Sequence, residues 1–365
     1  MAVDILGRSL WTARAELADG REILFFDERP VSHDVRDLRN LDPRSSGSQL
    51  RHDPLTGEWA AIAGHRQART FKPSADECPL CPSTADRHTE VPVPQYDVVV
   101  FENRFPAFSS QSAQLSSEEP FVALPGQGRC EVVCFTSDHN RSFVELDHNR
   151  IVTVLRALAH RTEELGAMPD VEYVFCFENR GEEIGVTLLH PHGQIYALPL
   201  VPPRVAARLE ANARYRAHFG QCAQCAALAA ELDDGSRIVT ATDLWVSYVP
   251  FAARWPYEVR VVPRRHVPSL AALTPDELDD LARVYQDVLA RLDSVDGAGP
   301  VPYIAGWQQA PARIDRDGWH LGAEIFTVRR SPGRLKYLAG IESGMGLWIN
   351  DIAPEVAADR LRSAR

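Results

Sequence analysis

The chain has 365 residues, 45% of them apolar and 24% charged, with a net charge of −11. These are ordinary globular values for about two domains, and they exclude a disordered or fibrous chain. The acidic balance argues against nucleic-acid binding, which needs a basic face. No apolar run nears the ~20 residues of a membrane helix, so no membrane association is expected. MAVDILGRSLWTARAEL also lacks the long apolar core of a secretion signal, so the expected location is cytoplasmic.

Residues 1–50 read as a polar, irregular segment with one short strand at Ile23–Phe26, and RSSGS near residue 45 reads as a linker. Pro54-Leu-Thr-Gly57 is a turn before a strand at Trp59–Ala63. Residues 83–95 and 109–120 are Pro- or Ser-bearing loops. β-branched and aromatic clusters place strands at 96–102, 130–136, 171–177 and 194–198. Ile151, Leu155, Leu158 and Leu165 have helical spacing over 149–165. A second helix, 203–218, follows Pro202-Pro203. Further strands fall at 245–249, 258–262, 302–306 and 323–328. Thr274, Pro275 and Glu277 form a capping box opening a helix over 275–292, and a last helix runs from Pro354. This alternation without strict βα units predicts an α+β fold, mostly antiparallel with flanking helices.

The cysteines number seven, at 78, 81, 130, 134, 176, 222 and 225. An odd count with no secretion signal argues against a disulfide framework. Cys130, Cys134 and Cys176 lie on strand-like segments and read as small buried apolar residues. The other four form two CxxC pairs. Cys78 and Cys81 precede a strand bearing Glu131 and, eight residues on, His139; His190 follows a further helix and strand. Cys222 and Cys225 precede Glu258, His266 and His320 in the same order. Two matched four-member sets point to a duplicated module. Each set has the donors of a tetrahedral Cys2His2 structural zinc site. The expected organisation is an N-terminal segment 1–50, a catalytic repeat 51–202 and a degenerate repeat 203–365.

The sharpest local signal is His190-Pro191-His192-Gly193-Gln194 before the strand Ile195-Tyr-Ala-Leu. Two histidines one residue apart on an extended strand share a side. One ring can then bind metal while the other faces a substrate. Gly193, lacking a Cβ, would admit a phosphate closely, and the Gln194 amide can donate to a phosphoryl oxygen. In the second half, His320-Leu-Gly322-Ala-Glu324 overlays this run, so the counterpart of His192 is Gly322. One catalytic site per chain follows.

With HPHGQ, the chain resembles the histidine-triad superfamily in its galactose-1-phosphate uridylyltransferase branch. The resemblance extends over roughly residues 50–360. It is carried also by PLTGEW at 54–59, HRQAR at 65–69, CPLC at 78–81, ENRFPAF at 102–108, SDH at 137–139 and WPYE at 255–258. It implies a duplicated histidine-triad-like module and a ping-pong enzyme. In that mechanism His192 attacks the α-phosphorus of UDP-glucose, and galactose 1-phosphate then takes the uridylyl group. A backbone carbonyl of the motif would hold the other ring nitrogen, and Gln194 would stabilise the transition state. Arg66 and Arg69 match arginines that reach the diphosphate from the neighbouring subunit of a homodimer. Asn103, Asn179 and Thr187 match residues at the nucleotide and phosphates, and Lys336 and Glu342 match residues near the hexose.

The chain departs from that pattern in places. Gln308, Gly322 and Glu324 stand where well-known members carry ligands of a different second metal site, so the Cys222 set reads as its replacement. Arg104 stands where the family has Asp, and SGMGLWIND after Glu342 lacks a clean match to a hexose-contacting Gln. The alternatives are an ADP-sugar or dinucleotide phosphorylase using the same histidine, and a zinc-stabilised module that only binds nucleotide.

Overall fold

A computed structural model describes residues 1–42, 47–68, 72–110, 115 and 118–364. Most of the proposed linker near 45, part of the 109–120 loop and Arg69 lie outside the described residues.

The chain opens with β1 (Ala2–Ile5), β2 (Arg8–Glu16) and β3 (Glu22–Asp27). β4 (Gln49–His52) and β5 (Trp59–Ile62) follow, then β6 (Val98–Glu102), β7 (Ala123–Pro125) and β8 (Arg129–Cys134). α1 (His148–Gly166) crosses to β9 (Tyr173–Arg180) and β10 (His192–Leu198). The second half runs α2 (Pro203–Phe219), α3 (Ala223–Asp234), β11 (Ile238–Ala241), β12 (Trp245–Tyr248) and β13 (Tyr257–Pro263). Then come α4 (Pro275–Ser294), β14 (Tyr303–Gln308), β15 (Gly322–Thr327), the hairpin β16 (Arg329–Ser331) and β17 (Arg334–Leu335), α5 (Gly340–Met345) and α6 (Pro354–Ser363).

The fold is α+β, built on a twelve-stranded sheet ordered β1-β2-β3-β6-β8-β10-β9-β14-β15-β13-β12-β11. Its paired strands are antiparallel. β9 and β14 meet at the centre, Tyr303 opposite Arg180 and Ala305 opposite Glu178. Outward from that pair, β9-β10-β8-β6 on one side mirrors β14-β15-β13-β12 on the other. The duplication is thus visible in the strand order. β4, β5 and β7 form a separate small sheet.

α1 and α4 pack together on one face of the large sheet. There Ile151, Leu155 and Leu158 meet Ile195 and Cys176, while Leu278, Leu281 and Leu289 meet Val259, Val261 and Ile325. Burying these apolar stripes holds both halves to one core. α4 starts where its capping box places it: the Thr274 hydroxyl accepts from the Glu277 N–H (3.2 Å). The Glu277 carboxylate accepts from the Thr274 N–H (2.8 Å). Cys130, Cys134 and Cys176 are fully buried, as their strand setting implied.

Two sequence readings need correction. Residues 1–50 are not irregular throughout, because β1 to β3 extend the sheet from β6, and the longest stretch without a regular element among the described part is 28–42. The β1–β2 turn uses Leu6 and Gly7, both at positive φ (51° and 75°). Such turns usually carry Asn-Gly or Asp-Gly, so Leu-Gly hides the hairpin. The Glu131/Glu258 overlay is also wrong by one position. Val132 stands opposite Gln194, and Arg260 stands opposite Glu324, so Val132 and Arg260 correspond. A one-residue slip moves a strand side chain to the other face. Glu131 accordingly faces α1, where Arg161 donates from Nε to Oε2 (2.9 Å) and from Nη2 to Oε1 (2.7 Å). Glu258 instead pairs with Arg254 (3.3 Å).

Glu131 and Arg161 have essentially no exposed side-chain surface. Glu131→Leu should therefore cost about 3–5 kcal/mol, because it leaves a buried guanidinium without its main carboxylate. Glu131→Leu/Arg161→Met should recover most of the loss in urea unfolding. Equal stability of the wild type and Glu131→Leu would contradict this.

Candidate active site

Strand alternation on β10 builds the site. His192, Gln194 and Tyr196 line a cavity of about 580 Å³ on the sheet face away from α1 and α4. Val132 of β8 and Phe177 of β9, both opposite Gln194, also line it. Gly193 points to the other face, so the reading of Gly193 as an opening for phosphate is corrected. A Cβ there would lie 2.9 Å from Phe135 Cζ and 3.0 Å from the Phe177 carbonyl oxygen. The glycine makes room for core packing directly behind the two cavity side chains.

The His192 ring is fixed by its neighbour. Nδ1 lies 2.7 Å from the His190 carbonyl oxygen. A carbonyl only accepts, so Nδ1 carries the proton and the neutral ring keeps its lone pair on Nε2. Burial lowers the His192 pKa, against the pull of that hydrogen bond. The neutral, nucleophilic form is therefore favoured at neutral pH.

Cys78, Cys81, His139 and His190 gather with their donor atoms all within 4.8 Å of one another, as do Cys222, Cys225, His266 and His320. In the first group Cys81 Sγ lies 3.3 Å from His139 Nδ1 and 3.6 Å from His190 Nδ1. In the second, Cys225 Sγ is 3.2 Å from Nδ1 of both His266 and His320. Three of the four remaining ring nitrogens are tied back. His190 Nε2–H donates to the Thr136 carbonyl (2.8 Å), His266 to that of Asp317 (3.0 Å), and His320 to that of Pro263 (2.9 Å). Each bond directs an unprotonated Nδ1 inward, the orientation a metal ligand requires. Burial pushes the His190 and His320 pKa values down to about 4, which keeps the rings neutral. Burial, with the neighbouring Cys78, pushes the Cys81 thiol up to about 11. Burial and Cys222 push Cys225 up to about 12. Two crowded thiols of this kind are stabilised as thiolates by a divalent cation. Both groups could hold a metal ion. The second CxxC opens α3, with Cys222 at its N-cap, whereas the first lies in a loop.

Arg66, Asn103, Asn179 and Thr187 line the His192 cavity. Asn103 Oδ1 accepts from the Phe105 N–H (2.8 Å), which leaves its amide donors. Arg66 lies over its own chain's cavity, although the resemblance implied delivery from a neighbouring subunit. The short 310 turn Gly64–Ala68 docks there, since Arg66 Nη1 donates to the Phe105 carbonyl (2.9 Å) and His65 Nε2 to that of Pro106 (2.8 Å). Lys336 and Glu342 are not at the cavity in this chain. They pair with each other (3.4 Å), and the Lys336 ammonium lies near Trp255 and Trp348. Trp255 is buried against Phe326 in parallel stacking.

Sequence reasoning missed several lining residues. Arg39 and Arg87 reach the cavity from loops with no motif to mark them. Arg39 is neutralised by Asp37 and Glu90, both at 2.7 Å. Arg66, Arg87 and Arg104 make no ion pair with a carboxylate among the described residues and give the cavity its positive charge. Tyr96 was also missed: its hydroxyl donates to the Thr136 carbonyl (2.9 Å) and sits 3.2 Å from His190 Nε2.

Comparisons with known proteins find similar chains over most of its length. The model of the galactose-1-phosphate uridyl transferase N-terminal domain matches residues 39–202, and that of the C-terminal domain matches 209–365. A galactose-1-phosphate uridylyltransferase of Streptomyces lividans is 42% identical over 360 residues, 95% of this chain and 96% of the relative. The one from Thermotoga maritima is 36% identical over 318 residues, 86% of this chain and 98% of the relative. A solved uridylyltransferase structure superposes with a TM-score of 0.78 at 34% identity, covering 86% of this chain and 98% of that one. An ADP-glucose phosphorylase from Arabidopsis thaliana superposes with a TM-score of 0.67 at 25% identity, covering 87% and 99%.

Gly193→Ala should lower stability by about 1–3 kcal/mol through overpacking. It should also cut kcat/KM by roughly 100-fold, because displacing β10 misplaces His192 and Gln194 together. Thermal unfolding and steady-state kinetics check both. Unchanged kinetics would show that the backbone position is not set from behind.

Proposed function

The chain belongs to the galactose-1-phosphate uridylyltransferase family, and on that premise we propose that it moves UMP from UDP-glucose to galactose 1-phosphate through a uridylyl-histidine on His192. The observation that carries this reading is the His192 Nδ1 to His190 carbonyl contact of 2.7 Å within a cavity large enough for a nucleotide.

The Nε2 lone pair attacks the α-phosphorus, forming an N–P bond. The bond from that phosphorus to the bridging oxygen breaks, and its electron pair leaves with glucose 1-phosphate. The Gln194 amide donates to a non-bridging oxygen as charge builds there. Galactose 1-phosphate then attacks the same phosphorus, and the N–P electron pair returns to Nε2. The ring goes through the cycle neutral, cationic while uridylylated, and neutral again. The His190 carbonyl stabilises the cationic stage. Arg66 and Arg104 offset the diphosphate charge, with Arg69 expected to join them. Asn103, Asn179 and Thr187 supply polar contacts to nucleotide and phosphate.

Residues 51–202 form the catalytic repeat and 203–365 the degenerate one. Zinc fills both Cys2His2 groups in a structural role, since the four donors of each leave no open position for chemistry. A cytoplasmic setting keeps such cysteines reduced. The enzyme works as a homodimer. Support comes from the segment bearing Lys336 and Glu342, which exposes Tyr337, Leu338, Met345, Leu347 and Ile349. A second copy would cover that apolar surface and bring the segment to its partner's site.

A second reading is an ADP-sugar phosphorylase. Arg104 in place of a family Asp and the likeness to the Arabidopsis thaliana enzyme favour it. Protein mixed with radiolabelled UDP-glucose or ADP-glucose, without acceptor, separates the two. UDP-glucose should leave acid-labile, base-stable label that galactose 1-phosphate removes as UDP-galactose, and His192→Asn should take up none. Label only from ADP-glucose, released by inorganic phosphate, would favour the phosphorylase. No label from either would leave a binding module.

Elemental analysis should give two zinc ions per chain. Cys78→Ser should lose one and reduce labelling of His192 at least tenfold, because His190 sits in that group and orients His192. Cys222→Ser should lose one and leave labelling largely intact. Zinc-free protein with full activity would refute the structural role.

A further inference from the structure

We propose that the degenerate half carries its own binding site for a phosphate-bearing small anion, in the cavity that mirrors the His192 pocket. That cavity measures about 330 Å³ and is lined by Arg204 and Arg208 of α2, Arg254, Arg260 of β13, Trp319 and Glu324 of β15. It is independent of the reaction assigned to His192.

The charge balance is the first argument. Glu324 is the shared partner of all four guanidiniums, at 2.9 Å from Arg204, 3.2 Å from Arg208, 3.5 Å from Arg254 and 3.7 Å from Arg260. Glu258 adds one more carboxylate, 3.3 Å from Arg254. Four cations against two anions leave an excess of two positive charges. A phosphate monoester carries about that much negative charge at pH 7.

The donor count points the same way. One carboxylate offers two oxygens, while each guanidinium offers five N–H donors. Arg260 Nε is buried and makes no hydrogen bond. Arg208 gives Nη2 to Gln224 Oε1 (3.0 Å) and rests over the Trp319 ring, 4.9 Å from its centroid. Burial, together with the nearby Arg260, lowers the Arg208 pKa despite the pull of Glu324. Planar forks fixed this way suit the tetrahedral oxygens of phosphate.

The site is built to bind and not to react. A Cβ on Gly322 would lie 3.2 Å from Gln224 Nε2, so Gln224 fills the room of a nucleophilic ring. Where β10 has Gln194 as an amide donor, β15 has the Glu324 carboxylate. The anion would instead link α2 to β13 and β15 beside the second Cys2His2 group, and binding there stabilises the native state by mass action.

Equilibrium dialysis of the metal-replete protein with radiolabelled orthophosphate tests this. The wild type should show two classes of site per chain. Arg204→Glu, at a half-exposed side chain, should weaken one class by about tenfold or more and leave the other. Arg208→Gln, checked for folding by circular dichroism, should weaken the same class. Displacement of that class by glucose 1-phosphate assigns the site to a phosphate monoester; resistance assigns it to free phosphate. One class in the wild type, or two classes unmoved by either substitution, would overturn the proposal.

Discussion

The main chain of His190 is the constraint on which the rest of the site depends. Its ring faces Cys81 from one side and is anchored by the Thr136 carbonyl from the other, while its own carbonyl takes the His192 Nδ1 proton. One residue therefore joins the Cys2His2 group to the proposed nucleophile. Pro191 fixes the backbone between them. Strand β10 then starts at His192, and alternation carries Gln194 to the same face. A candidate metal ligand, the His192 tautomer and a cavity-facing amide are all placed by a run of five residues.

The duplicated sheet explains why such a short run suffices. Two equivalent halves meet at β9 and β14 and share the α1 and α4 core on one face of the sheet, while the other face, partly covered by the 78–96 loop, α2 and α3, leaves one cavity in each half. Each half keeps a Cys2His2 group at a strand end, gathering a loop in the first half and the start of α3 in the second. In the second half Gly322 stands at the place of His192, and arginines line the mirrored cavity. Glu131 and Glu258 are not counterparts: each is buried on a strand, but they face opposite sides and hold different arginines.

Much of this was legible in the sequence because the signals were local. HPHGQ, the paired CxxC spacings and the capping box at Thr274 each require a definite geometry within a few residues. What escaped depends on contacts far apart in the chain. The β1–β2 hairpin turns on Leu6-Gly7, an atypical pair for positive φ. The direction of Gly193 follows from strand phase, which starts at His192 and is fixed by pairing with β8 and β9. Arg39 and Arg87 reach the cavity only through loop folding. Lys336 and Glu342 pair away from His192 in a single chain, which no motif match could reveal.

The most direct test of the central claim is which nitrogen of His192 receives phosphorus. Protein labelled with 15N-histidine and reacted with UDP-glucose should show 31P–15N coupling at Nε2, with Nδ1 still protonated and hydrogen-bonded. That result would tie the His190 carbonyl to the chemistry. Phosphorus on Nδ1, or on any residue other than His192, would contradict the account.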